Sequence, residues 1–200
     1  MEQITNILVV GIGGQGVMTA ADIISQAAIL EGYDVKKTEV AGMAQRGGVV
    51  TSHVRFGNKV LSPSITPGHA DLMLAFEPAE ALRWVTHVRN GATVMVNSYP
   101  QAPPVVSVGL FDYPENPEQQ LADHPINLVN FDAGNIAIHL GDRRLVNSVM
   151  LGAIAAHLTL SSEVLKTALL SRFKNKGTEM LALNEAAFKA GEQASLISIQ

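Results

Sequence analysis

The sequence predicts an α/β fold, a three-layer arrangement with a mostly parallel sheet and a helical C-terminal third. Three observations carry this expectation. Short apolar runs of strand length, the first rich in Val and Ile, recur at Ile4 to Ile12, Asp71 to Phe76, Thr93 to Asn97 and Asn127 to Phe131. Stretches with apolar residues at helical spacing lie between several of them, the alternation that builds a sheet covered by crossover helices. From Arg144 onward the pattern is helical alone.

Each element has its own signal. The first strand ends at Gly11, and a helix follows from about Gly14 to Leu30, with Val17, Ala21, Ile24 and Ala28 on one face and Glu31-Gly32 as its stop. Tyr33 to Glu39 reads as the second strand of a βαβ unit. Val49 to Phe56 alternates as a strand, and Gly57-Asn58 reads as a hairpin turn into Lys59 to Leu61. Pro78 to Val88 is a helix that Asn90-Gly91 is expected to cap. Residues 98–125 hold six of the nine prolines and read as an irregular excursion, with a weak strand at Val105 to Val108 and a helical turn after Pro117. Asp132 caps a short helix, and the C-terminal helices break near Ser161-Ser162 and Gly177-Thr178. The expected organisation is one domain over 1–200, with the sheet in about 1–143 and helices in 144–195.

Composition narrows the function classes. A net charge of −4 with scattered Lys and Arg leaves no basic footprint for nucleic acid. No apolar run is long enough to span a bilayer, and the N-terminus lacks the pattern of a signal peptide, so a cytoplasmic location is expected. The chain has no cysteine, which excludes disulfides, thiolate catalysis and cysteine-ligated iron–sulfur clusters held by this chain.

Gly11, Gly13 and Gly16 form G-x-G-x-x-G directly after a strand, and Glu39 closes the second strand. That is the dinucleotide fingerprint of a Rossmann-like domain: a tight turn, close backbone approach to a pyrophosphate, and an acid for a ribose. The same glycines also serve the strand-to-helix turn alone, and Gln15 is unusual in a dinucleotide loop. A stand-alone NAD(P)- or FAD-binding oxidoreductase and a non-catalytic scaffold subunit therefore both stay open on the glycine loop alone.

The segments Gly13-Gly14-Gln15-Gly16, Glu39-Val-Ala-Gly-Met-Ala-Gln-Arg-Gly-Gly48 and Ser52-His-Val-Arg-Phe-Gly57, with Asp71 to Arg83 and Asn147 to Ala153, resemble the gamma-type domain of 2-oxoacid:ferredoxin oxidoreductases, most of all the indolepyruvate type. The chain departs from that pattern at Ala41 and Ala44, where many relatives carry His and often Ser. The resemblance implies a small subunit, inactive alone, of an enzyme of anaerobic metabolism. That enzyme decarboxylates an arylpyruvate oxidatively with coenzyme A and reduces ferredoxin. It further implies that this chain binds no cofactor by itself, and that thiamine diphosphate, Mg and 4Fe-4S clusters sit on a large partner subunit.

Several side chains remain as candidates. Gly13, Gly14, Gln15, Gly16, Gln45, Arg46 and Gly47 are expected to line a substrate or cofactor pocket, Arg46 through its planar fork. No acid–base or nucleophilic pair stands out, so no catalytic residue is assigned. His53 and Arg55 share one face of a strand and read as a solvated or interface face. Asp142-Arg143-Arg144 reads as a cap with a surface charge cluster. The other five histidines lack ligand spacing, so no metal is expected.

Overall fold

The computed structural model describes residues 4–41, 48–99, 101, 106, 109 and 112–197. Six strands among them form one sheet: β1 (Thr5–Ile12), β2 (Asp34–Ala41), β3 (Val49–Gly57), β4 (Ala70–Ala75), β5 (Val88–Asn97) and β6 (Asn127–Phe131), in the order β2-β3-β1-β4-β5-β6. The helices are α1 (Val17–Leu30), α2 (Pro78–Trp84), α3 (Pro117–Ala122), α4 (Ala133–His139), α5 (Val146–Ala155), α6 (Ser162–Ser171) and α7 (Thr178–Ile197). Pairings β1–β4, β4–β5 and β5–β6 are parallel, as the strand–helix alternation requires.

The sheet departs from the expected order on one side. β3 runs antiparallel between β1 and β2, with Thr5 opposite Phe56 on one flank and Asp34 opposite Gly57 on the other. β3 is therefore an arm of a hairpin, but its partner is β2. Residues 58–61 after it form no strand. The Gly57-Asn58 signal marks the end of β3, where Asp34 accepts the Val60 N–H at 2.8 Å and turns the chain away from the sheet. Asn90-Gly91 likewise lies inside β5 instead of capping α2. Gly91 has φ +72, and the β4–β5 register shifts between Ala70 and Leu72, so the pair marks an irregularity in the strand. The weak strand expected at Val105 to Val108 lies outside the described residues except for Val106.

Strand alternation sorts the core into two layers. Ile7 and Val9 of β1 face α1 and the C-terminal helices, while Leu8 and Val10 face Ala81 of α2 and Leu121 of α3. The C-terminal third thus shares its core with the sheet. Its tightest contact is between α5 and α7, where a Cβ on Gly152 would strike the Phe188 carbonyl and one on Gly191 would strike that of Val149. Buried Ser148 Oγ donates to Asn184 Oδ1 across the same helix pair at 2.6 Å.

Candidate functional site

β1 and β4 are parallel neighbours, yet the helices that follow them leave on opposite faces of the sheet. The crevice outside their carboxyl ends is the switch point at which open α/β sheets gather ligands. A cleft of about 520 Å³ lies there, reaching from the glycine turn past Phe76 and Asn97 to Tyr99, Arg143, Arg144 and Asn147.

The chain's own carboxamides occupy much of the glycine turn. Gln15 Oε1 accepts the Ile12 N–H at 2.8 Å, and its Nε2 donates to the Phe76 carbonyl and to Gln101 Oε1, both at 3.3 Å. A Cβ on Gly11 would lie 2.7 Å from that Gln15 oxygen and 2.9 Å from Val17, so Gly11 is required by packing. Gly16 has φ +88, and a Cβ there would collide with the Asn147 carboxamide, whose nitrogen donates to the Gly16 carbonyl at 2.8 Å. Gly13 N–H donates to the Gly48 carbonyl at 2.8 Å, tying the turn to the residue that leads into β3. Gly14, at φ +103, faces open space on the cleft wall.

The acid of the fingerprint lies elsewhere. With β3 inserted, β2 is two strands from β1, about 10 Å in lateral spacing. Glu39 pairs with Lys37, which also pairs with Asp22 of α1. A ribose-reading role for Glu39 is therefore overturned by the strand order.

Next to the switch point two carboxyls are fully buried. Glu77 caps α2 by accepting the Glu80 N–H at 3.0 Å and also accepts from the Tyr113 hydroxyl. Burial pushes its carboxyl up, and these hydrogen bonds pull it back toward ionisation. Glu80 lies 3.3 Å from Arg83 Nε, its carboxyl oxygens accept no hydrogen bond of good geometry among the described residues, and burial pushes it up to about 7. Burial, followed by the Glu77 carboxylate, raises the Tyr113 hydroxyl.

Of the candidates from sequence, Gly14, Gln15 and Gly16 line the cleft and Gly13 lies beside them. Gln45, Arg46 and Gly47 lie outside the described residues. His53 and Arg55 do not form a solvated pair: His53 is buried and Arg55 only partly exposed. Buried His53 accepts the Ile65 N–H on Nδ1 at 3.0 Å, and Arg55 donates to Asn6 Oδ1, Ser62 O and Ser64 O, so both hold the 58–66 segment on the sheet. Asp142 does cap the following turn and pairs with Arg144, whereas Arg143 lays its guanidinium 4.9 Å over the Tyr99 ring at the cleft. Sequence reasoning missed Asn97, Tyr99, Arg143 and Asn147 as cleft residues. Three of them follow a strand or open a helix, and that position was the one available signal.

The comparison with known proteins agrees with this architecture. Residues 6–194 match the family described as pyruvate ferredoxin/flavodoxin oxidoreductase. The chain is 37% identical over 195 residues to the indolepyruvate oxidoreductase subunit IorB of Pyrococcus horikoshii, covering 95% of each chain. It superposes on the gamma subunit of a keto/oxoacid ferredoxin oxidoreductase from Geobacter sulfurreducens with a TM-score of 0.70 and 25% identity, over 96% of this chain and 99% of that one. The fold also matches 32% of the Magnetococcus marinus 2-oxoglutarate:ferredoxin oxidoreductase chain and 98% of this one, with a TM-score of 0.76 and 23% identity. With matches that run almost end to end, the chain belongs to the pyruvate ferredoxin/flavodoxin oxidoreductase family.

Proposed function

We propose that this chain is the small subunit of a 2-oxoacid:ferredoxin oxidoreductase that converts an arylpyruvate such as indolepyruvate, with coenzyme A, to the aryl-acetyl-CoA and carbon dioxide, its electrons passing to ferredoxin. The observation that carries this reading is the near full-length identity to IorB, a subunit of indolepyruvate oxidoreductase. The donor set supports this reading: without a cysteine the chain does not fit an iron–sulfur cluster, and on this reading the clusters, thiamine diphosphate and Mg are held by a large partner subunit. Thiamine diphosphate supplies the reactive carbanion when bound there.

On this reading the chain works as one cytoplasmic domain, inactive alone, that completes the partner's pocket. The glycine turn Gly13 to Gly16, which bonds to Gly48, is its working face, and Gln45, Arg46 and Gly47 are assigned to the same pocket on the family resemblance alone. Gln15 acts there by holding the turn, since its carboxamide is already engaged at both ends.

Purification of the tagged chain from its own cells tests the proposal. A large co-purifying subunit with thiamine diphosphate and iron–sulfur absorbance is expected, and the complex should reduce ferredoxin only with an arylpyruvate and coenzyme A together. Turnover by the small chain alone, or the absence of any such partner, overturns it. Arg46→Ala should lower turnover in a complex that still assembles.

A further inference from the structure

We infer that Glu77 is a positioning residue of the cleft: its buried carboxylate holds the wall that carries Tyr99 and Gln101 in place beside the glycine turn. Glutamate is an unusual choice for this position. Glu77 is the N-cap of α2, where Asp, Asn, Ser or Thr is preferred because a short side chain folds back onto the first free N–H groups. One extra methylene lets this carboxylate cap the helix and reach sideways as well. On the helix side it accepts the Glu80 N–H at 3.0 Å and the Ala79 N–H. On the other side it accepts the Gln101 backbone N–H and the Tyr113 hydroxyl. These four donors match the roughly four lone-pair sites of an ionised carboxylate. Arg83, the cation of the same helix, pairs with Glu80 instead.

The wall runs through alternate residues, Asn97, Tyr99 and Gln101, all of which line the cleft. Its near end is fixed to the sheet. Asn97 donates to the Phe76 carbonyl at 3.3 Å and accepts the Ala133 N–H at 3.0 Å, and the Ser98 N–H donates to the Phe131 carbonyl at 2.9 Å. Its far end, Gln101, is tied by its backbone to Glu77 and by its side chain to Gln15. Tyr99 lies between these fixed points, 41% exposed, with the Arg143 guanidinium over its ring. Gln101 is on the surface while the carboxylate that orders its backbone is fully buried. A wall held in this way needs no ordering when something enters the cleft. A residue that served α2 alone would gain nothing from the longer side chain.

The consequence for turnover rests on the subunit role proposed above, so the test has one arm on the full chain and one on the assembled enzyme. Glu77→Asp separates the two tasks, since Asp is a good N-cap but is one methylene short of Gln101 and Tyr113. On the chain alone, Glu77→Asp should keep most of the Tm that Glu77→Ala loses. Its Gln101 amide should nonetheless exchange with deuterium at least about tenfold faster relative to those of Val9 and Leu74 in the same sample. Tyr113→Phe leaves the cap whole and serves if Glu77→Asp does not fold; it should speed Gln101 exchange by a smaller factor. In the assembled complex, Glu77→Asp should raise the KM for indolepyruvate or for coenzyme A at least about fivefold with kcat within about twofold, the mark of lost binding. Wild-type exchange at Gln101 in the folded variants overturns the inference. So does faster exchange with both KM values unchanged, which would leave Glu77 a brace of the fold. A wild-type complex without turnover overturns the subunit role alone, and the exchange at Gln101 then decides.

Discussion

Gln15 and Gly11 compete for one volume: the Gln15 carboxamide oxygen that accepts the Ile12 N–H lies 2.7 Å from where a Gly11 side chain would begin. The glycine is therefore the partner of a glutamine, and the glutamine ties the end of β1 to Phe76 just beyond β4. Removing it strands a backbone donor. Gln15→Ala should lower stability by about 1–3 kcal/mol, read as a lower midpoint in denaturant. Gly11→Ala should cost at least as much, and Gln15→Ala should relieve it only partly, because Val17 and Phe76 also crowd the site.

Self-occupation of the turn has a direct consequence for cofactors. With Asn147 over Gly16 and Glu39 held by Lys37, millimolar NAD, NADP or FAD should leave the Tm of the chain unchanged. Glu39→Ala should change stability by less than about 1 kcal/mol, as expected of a partly exposed ion pair. A cofactor-induced rise in Tm that Glu39→Ala abolishes would contradict the strand-order argument.

Glu80 predicts a dependence on pH. Its folded carboxyl is pushed up to about 7, chiefly by burial, while the ordinary value of 4.5 applies in the unfolded chain. Between those values the folded state holds more protons, so stability from this group is greatest below the unfolded value and falls as pH rises toward 7. Glu80→Gln should accordingly stabilise the protein by about 1–2 kcal/mol near pH 8 and have little effect near pH 4.5, read from urea midpoints at both. A constant difference across that window would place the effect in packing.

At the α5–α7 contact the backbones themselves leave no room for a methyl group. Gly152→Ala or Gly191→Ala meets a carbonyl that cannot move without shifting its helix, and each should cost about 3 kcal/mol or more. Gly32→Ala provides the contrast: its Cβ would meet nothing, and only its φ of +87 would be strained. Comparing the three midpoints separates steric from conformational cost.

The fold was legible where local chemistry decides it. Apolar runs marked β1, β4, β5 and β6, and Asp132 capped its helix as expected by accepting the Asn135 N–H at 2.7 Å. The place of β3 was hidden, because a one-strand insertion between β1 and β2 depends on side-chain fit across the sheet and leaves no spacing in the sequence. Gly57-Asn58 misled for a related reason: a turn signal says where a strand ends, and not which strand it pairs with. The cleft was legible only in part. Gln15 stood out as unusual, but Asn97, Tyr99, Arg143 and Asn147 come from separate segments that only the fold assembles.

The inserted strand also sets an order of events and a gradient of protection. β2 and β3 are neighbours in sequence and can zip locally, whereas β3 reaches β1 only by closing the span from Thr5 to Phe56. β3 is bonded on both flanks and β2 on one, with solvent along its outer edge. Amide protons of Thr51 to Val54 should therefore exchange with deuterium only through global opening, while those of Lys36 to Val40 that face outward exchange by fraying. The strand that mimics the second strand of a dinucleotide fold is in this protein an edge strand, open to fraying.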